Sequence, residues 1–356
     1  MTTVQSALHP MPRTANGTTE AVILDVGHGN CTVLRDGSRC VIVDAKSDRL
    51  LYQELVDAGV RRIEHLVLSH ADSDHIAGAL RLLPNEDFEV GTVWVNSDSQ
   101  KDSQKWHELL VLLTSLAQAG RLRPRLAICD LDSSDLSLDN VLIDVLHPTL
   151  TDIGHGPGKR GKVRPEITTN GMSVVLRVSL EGHPALLLPG DLDSAGLEQL
   201  LSRDKDVSAH VLVYPHHGGH SGAGSEDAFT KTLCDAVSPE VVLFSMGRGV
   251  FKNPLPEVVA EITRSFPEMR VACTQLSENC HAGALPSGDR GYLLNRPVAV
   301  SAESRSCVGT VRVTVADDHL QVDPSHLAHK RWITQQVSAA MCEPDRQLAL
   351  PRPRVP

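Results

Sequence analysis

Residues 63–75 read Ile-Glu-His-Leu-Val-Leu-Ser-His-Ala-Asp-Ser-Asp-His and constrain this chain more than any other stretch. Residues 63–68 have the apolar make-up of a short buried strand. His70, Asp72, Asp74 and His75 follow directly at its end. Neither a helical nor a strand period calls for four such side chains within six residues, whereas convergence on a cation does. Two imidazoles and two carboxylates suit a first-row divalent ion, the nitrogens favouring Zn2+ and the carboxylates admitting Mn2+ or Mg2+. For the motif alone, a solvated turn capping a helix is the alternative.

The same pattern recurs twice. Residues 186–188 lead into Pro189-Gly190-Asp191, and residues 211–214 lead into Pro215-His216-His217-Gly218-Gly219-His220. Asp191 alone could be the N-cap of a helix starting near Ala195, and His216 and His217 alone could form a satisfied polar turn. Three strands each ending in ligand-type residues outweigh those separate readings, because a sheet edge assembles a site from distant sequence in this way.

The intervening chain alternates strands and helices. Strands are expected at 21–26, 31–35, 39–44, 63–68, 90–95, 141–146, 173–179, 185–188, 211–214, 241–244, 271–274 and 308–315, with a turn at Asp36-Gly37. Helical periodicity marks 48–58, 76–83, 104–119, 195–201, 257–265 and 325–341. Strand-rich groups followed by helices imply an α/β (α+β) chain with two sheets in the middle and helices outside. Residues 1–19 are expected to be a disordered leader, 20–320 the catalytic domain, 321–347 a C-terminal helical appendage and 348–356 a disordered Pro/Arg tail.

Composition narrows the class. With 41% hydrophobic and 22% charged residues the chain is globular, and at 3% aromatics its core must be aliphatic. A net charge of −10 argues against coating nucleic acid by bulk electrostatics. No run approaches the ~20 apolar residues of a membrane span, and the N-terminus lacks a signal-peptide pattern, so a soluble, cytoplasmic protein without membrane partners is expected. Eight cysteines are too sparse for a disulfide scaffold. Cys273, Cys280, His281 and Cys307 form a candidate structural Zn2+ site, with ordinary buried thiols as the alternative.

Together these residues carry a resemblance. His70-Ala71-Asp72-Ser73-Asp74-His75 is accompanied, in order along the chain, by Asp25-Val26-Gly27-His28-Gly29-Asn30, Leu146-His147-Pro148, Asn170-Gly171-Met172-Ser173, Pro189-Gly190-Asp191 and Pro215-His216-His217-Gly218. The chain resembles metallo-β-lactamase-fold hydrolases, and most closely the nuclease-like domain of the ComEC competence family. That resemblance implies an αββα four-layer sandwich of two mixed β-sheets flanked by helices. It also implies two divalent ions, Zn2+ or Mn2+. His70 and Asp72 would hold one ion, Asp74 and His75 the second, Asp191 would bridge, and His216 would complete the second site, with His217 next in line if the register differs. Asp72 and Asn170 stand where most of the superfamily has histidine, and the harder donors make Mn2+ as reasonable as Zn2+.

The mechanism implied is hydrolysis by a hydroxide bridging two ions, with Asp74 orienting or deprotonating the water and His217, His220 and Lys252 as candidates for leaving-group assistance. His28 and Asn30 are expected to hydrogen-bond the ligand shell. Lys159, Arg160, Lys162 and Arg164, just before Asn170, suggest phosphate recognition, a solubilising loop being the alternative. Asn253 replaces the histidine usual in a family His-Pro segment and could still bind phosphate. The leading expectation is a DNA nuclease in antiviral defence or DNA processing with an ATPase or defence-system partner. A small phosphoester or cyclic-nucleotide hydrolase, and a metal-stabilised regulatory subunit, are the alternatives.

Overall fold

The computed structural model describes residues 17–46, 48–96, 103–158, 166–222, 224–286, 288, 290–294 and 305–343. Its first half supplies six strands of an eight-stranded sheet, β1 (Thr19–Ile23), β2 (Thr32–Asp36), β3 (Arg39–Val43), β4 (Arg62–Leu68), β5 (Glu89–Val95) and β6 (Arg123–Leu126). Helices α1 (Asp48–Asp57), α2 (Ser73–Ile76), α3 (Ala79–Leu82) and α4 (Gln104–Gln118) connect them. After α5 (Ser133–Leu136), β7 (Val141–His147) and α6 (Leu150–His155), a six-stranded sheet continues through β8 (Val175–Leu180), β9 (His183–Leu188), β10 (Val211–Val213), β11 (Val241–Phe244) and β12 (Arg270–Cys273). Helices α7 (Ser194–Leu201), α8 (Glu226–Val237) and α9 (Pro256–Ser265) lie between these strands in sequence. The chain then returns to the first sheet as β13 (Val311–Ala316) and β14 (His319–Asp323), and ends in α10 (His326–Gln336). The strand orders are β14-β13-β1-β2-β3-β4-β5-β6 and β12-β11-β10-β9-β8-β7.

Three apolar layers hold this arrangement. Ala21, Ile23, Leu34, Val41 and Val67 of the first sheet meet Ile143, Val145, Leu176, Leu186, Val211 and Leu243 of the second. The opposite face of the first sheet, with Val22, Ile42, Leu66 and Leu68, packs on Leu51 and Leu55 of α1 and on Trp106, Leu109 and Leu113 of α4. The outer face of the second sheet, with Leu187, Leu212 and Val242, packs on α7, α8, α9 and α10. Both faces of the central strands are therefore covered, which is why they read as unbroken apolar runs rather than alternating ones. The result is an αββα four-layer sandwich of two mixed sheets.

β3, β4, β5 and β6 are parallel, as are β9, β10, β11 and β12. Parallel strands deliver their C-terminal ends to one edge, and in both sheets that edge carries the polar motifs.

Four departures from the sequence reading have local causes. β6, Arg-Pro-Arg-Leu, is a largely exposed edge strand, where a proline costs no ladder bond. α8 has its apolar stripe broken by the buried Thr230 and Cys234. The boundary expected at 320/321 falls inside β14, whose register with β13 is continuous from Ala316↔His319 to Arg312↔Asp323. Segment 321–343 is not an appendage either, because Trp332, Ile333, Val337 and Ala340 are buried in the core layer behind the second sheet. The expected leader lies outside the described residues up to 16, and Thr19 already belongs to β1. The tail 348–356 also lies outside the described residues.

Candidate metal centre

The site forms where the ends of β3, β4, β9 and β10 meet. β4 ends at Leu68, so the backbone emerges with Ser69 and His70 buried and turns into α2 with Asp72 at its N-cap position. β9 delivers Asp191 through Gly190, which takes a left-handed φ of 56°. β10 delivers His216 and His217, consecutive residues at φ 51° and 55°. Two non-glycine residues in the left-handed region are costly, and here they aim one imidazole to each side of Asp191. Gly29 and Gly247 permit a close approach of loops at the rim: a Cβ on Gly29 would overlap the Asp74 carbonyl, and one on Gly247 would overlap the backbone nitrogen of His28.

Asp191 is the hub. Its Oδ1 lies 3.4 Å from His75 Nε2 and 3.8 Å from His217 Nε2, while its Oδ2 lies 3.5 Å from His70 Nε2 and 3.6 Å from His216 Nδ1. His70 Nε2 is also 3.2 Å from Asp72 Oδ2. On the other side Asp74 Oδ2 is 3.4 Å from His217 Nε2 and 3.5 Å from His28 Nε2. Two groups with ligand atoms mutually within 4.8 Å result, His70/His75/Asp191 and His28/Asp74/His217.

The rings are oriented from behind. His75 Nδ1 donates to Asp44 Oδ2 at 2.7 Å, and His217 Nδ1 donates to the Ser245 carbonyl at 2.7 Å. A carboxylate and a carbonyl can only accept, so in the neutral rings the Nε2 lone pairs face Asp191. His75 Nε2, His217 Nε2 and Asp191 Oδ1 are buried without a hydrogen-bond partner. Such groups are costly unless something satisfies them, and the donor set fits a divalent cation.

Electrostatics agree. Burial alone would raise the Asp191 carboxyl, but His75, His70 and His217 outweigh it and hold it well below the usual range. Burial would lower His75, yet Asp44 and Asp191 hold it well above its ordinary value, and His70 is likewise raised by Asp191 and Asp72 against burial and the neighbouring His75. Burial likewise acts to raise Asp74, and the His217 and His75 rings outweigh it and lower the carboxyl. His28, by contrast, is pushed down to about 4 by burial and by His217.

Asn253 Nδ2 donates to the His216 carbonyl at 3.4 Å, Asn30 N donates to the Asp74 carbonyl at 3.2 Å, and Asn170 opens the turn whose Ser173 Oγ accepts from Asp191 N at 3.2 Å. These three support the loops that carry the site. The cap of α7 is Asp193, not Asp191, its Oδ1 accepting from Gly196 N at 3.0 Å, which leaves Asp191 facing the imidazoles. His217 rather than His216 joins Asp74 and His75, because the left-handed turn points it inwards.

His220 and Lys252 do not join the group. His220 is 77% exposed beside Glu226, and Lys252 is exposed with its carbonyl accepting from Asn279. His281 does not join the cysteines: its Nε2 donates to the Ala284 carbonyl at 2.9 Å, and among the described residues the imidazole against Cys307 Sγ is that of His329 at 3.2 Å. Among the described residues only the two groups around Asp191 and Asp74 converge as a metal site would require. Lys159, Arg160, Lys162 and Arg164 lie outside the described residues.

Sequence reading missed Asp44, Ser245, Asn96 and Lys46. Asp44 ends β3 as Asp191 ends β9, so the strand-then-carboxylate signal was present there too. Asn96 Nδ2 donates to the carbonyls of Ser69 and Met172 at 2.6 and 2.7 Å, tying the first motif to the turn beneath Asp191. Lys46 is half-buried with its stem against Gly29, and burial lowers its ammonium pKa against the opposing pull of Asp74.

The competence protein ComA of Neisseria gonorrhoeae is 28% identical over 245 residues, covering 66% of this chain and 28% of its own length. The ComE operon protein 3 of Bacillus subtilis (strain 168) is 25% identical over 202 residues, covering 56% and 22% respectively. The match therefore spans about a quarter of each relative, and both support the ComEC-like resemblance. The solved structure of Igni18, a metallo hydrolase of Ignicoccus hospitalis, gives a TM-score of 0.41 at 17% identity, covering 73% of this chain and 97% of that one. No helix among the described residues is long and apolar enough to cross a membrane. The family description "Metallo-beta-lactamase superfamily" matches residues 24–226, more than half of the chain, which belongs to that superfamily as a divalent-metal hydrolase.

Proposed function

We propose that the chain is a phosphodiesterase acting on DNA through a two-ion centre. The observation that carries this is Asp191, whose two oxygens face separate ligand sets. Oδ1 would serve one ion with Asp74, His75 and His217, and Oδ2 the other with His70, Asp72 and His216. When bound, two divalent ions acidify water and neutralise charge developing on a phosphoryl group. Carboxylate donors among the imidazoles admit Mn2+ alongside Zn2+.

The protein's own groups then have definite tasks. Asp74 Oδ2, between His28 and His217, is the carboxylate placed to accept the proton of an attacking water. The leaving alkoxide takes its proton from solvent rather than from His217, whose Nδ1 proton is committed to Ser245 and whose Nε2 faces the carboxylates. Lys46, beside the same rim, supplies a positive charge for a phosphate oxygen.

Phosphate recognition is supported by position as well as by the competence-family resemblance. The four basic residues at 159, 160, 162 and 164 lie in sequence between Gly158 and Ile167, which exchange hydrogen bonds at 2.7 and 3.0 Å immediately before the Asn170 turn. The test is to strip metals, restore Mn2+ or Zn2+, and assay linear, single-stranded and supercoiled DNA beside bis-p-nitrophenyl phosphate, with Asp74→Ala as control. DNA left intact while the small ester is cleaved would overturn the reading.

A further inference from the structure

Beside the centre, the loop after β11 presents two exposed apolar side chains, Val250 at 59% and Phe251 at 57%. Phe251 is the single exposed phenylalanine of the chain's five, since Phe88, Phe229 and Phe244 are buried and Phe266 packs against the core. Its ring centroid lies 4.6 Å from that of His28, whose own ring is 4.3 Å from His217. An exposed phenyl therefore stands two rings away from the hub of the site.

This exposure is held in place. Upstream, Arg248 N donates to Gln275 Oε1 at 2.9 Å, and its guanidinium donates to the carbonyls of Leu276 and His281 at 2.8 and 2.7 Å. Downstream, Asn279 Nδ2 donates to the carbonyls of Lys252 and Pro254 at 2.9 and 3.1 Å, and Ser277 Oγ to that of Asn253 at 2.7 Å. A loop pinned at both ends that still leaves more than half of a phenyl in water gains little for folding from that side chain. It does provide a rigid aromatic surface that loses little entropy when something flat covers it.

Resting on the phosphodiesterase reading, we propose that Phe251 is a stacking platform for a nucleobase next to the scissile phosphate, so that the centre takes DNA as an unpaired strand. Lys46, close enough to act on the charge of His28, and the exposed Lys252, next to Phe251 in sequence, bring positive charge for the adjoining phosphates. In a duplex the bases are already stacked on one another and offer no free face, so the platform discriminates in favour of single-stranded or frayed DNA.

The test uses the full, Mn2+-loaded chain, with a fluorescein-labelled phosphorothioate oligothymidylate or its duplex as a probe that resists cleavage. Phe251→Ala should weaken single-strand binding about tenfold, equivalent to ~1.4 kcal/mol, with duplex binding changed less than twofold and Phe251→Trp restoring the single-strand affinity. Mn2+ affinity of Phe251→Ala, read by competition with a chromophoric chelator, should stay within twofold of wild type, since the phenyl is not a ligand. Unchanged single-strand binding, or an equal loss on both probes, overturns the platform while leaving the nuclease reading standing. Wild type that neither binds nor cuts any DNA overturns both.

Discussion

Asp44 offers the sharpest test of how the centre is built. Its Oδ1 accepts from the Ser69 backbone N–H at 2.8 Å, and its Oδ2 accepts from Ser69 Oγ at 2.8 Å and from His75 Nδ1 at 2.7 Å. In Asp44→Asn the amide cannot turn its nitrogen towards the Ser69 N–H, because two donors would then face each other. The nitrogen must therefore take the Oδ2 position and donate to Ser69 Oγ and to His75 Nδ1. That forces the other tautomer on His75, with the proton on Nε2 aimed at Asp191 Oδ1 and no lone pair left for a cation. Volume and hydrogen-bond count barely change, so the fold should persist. Metal affinity should fall 10- to 100-fold, about 1.4–2.8 kcal/mol, the range for outer partners of ligating histidines. Competition against a chromophoric chelator measures it, with circular dichroism confirming the fold. Affinity within twofold of wild type would refute the tautomer argument.

Three further outcomes follow from the packing and the charges. Asp25 is buried with Ser306 Oγ at 2.6 Å and Gln275 Nε2 at 2.9 Å, and burial outweighs these bonds and raises its pKa to about 6. The folded chain thus holds that proton more tightly than the unfolded one, and this contribution is complete below pH ~4 and lost as pH rises to ~6. The stability difference between wild type and Asp25→Asn should move by roughly 3 kcal/mol over that window in urea titrations and stay flat above it; a pH-independent difference contradicts the assignment. Trp332→Ala should cost ~3–5 kcal/mol in the same titration, since the indole is buried against Tyr292 and under Arg290; a loss under 1 kcal/mol would mean α10 is dispensable. Gly247→Ala must displace the His28 turn and should lower kcat/KM on bis-p-nitrophenyl phosphate at least tenfold, whereas Gly154→Ala, with open space around it, should change nothing.

The site was legible in the sequence to the extent that it hangs on strand ends. An apolar run followed by ligand residues announces itself at His70, Asp191 and His216, because both faces of those strands are buried and the polarity switch is abrupt. Groups that act from behind gave a weaker signal. Ser245 contributes a backbone carbonyl, which any residue could supply, and Asn96 acts through an amide between backbones rather than through a recognisable motif. The choice between His216 and His217 depended on a left-handed turn that residue identity does not reveal. His281 looked like a ligand beside Cys280 because sequence adjacency conceals direction, and its ring is turned to Ala284. No strand was expected at β14, and α10 was expected in a C-terminal appendage, yet they close the edge of one sheet and the back of the other.

The placement of the centre has one more consequence. His70, Asp74 and His75 issue from the first sheet, while Asp191, His216 and His217 issue from the second. A cation gripped by both sets is a removable cross-link between the two sheets. Its binding energy belongs to the clamping of the whole sandwich as much as to chemistry, and because stability rises by RT ln(1 + [M]/Kd) the melting temperature becomes a gauge of free metal. Starvation for metal would then loosen the same seam that a substrate has to find closed.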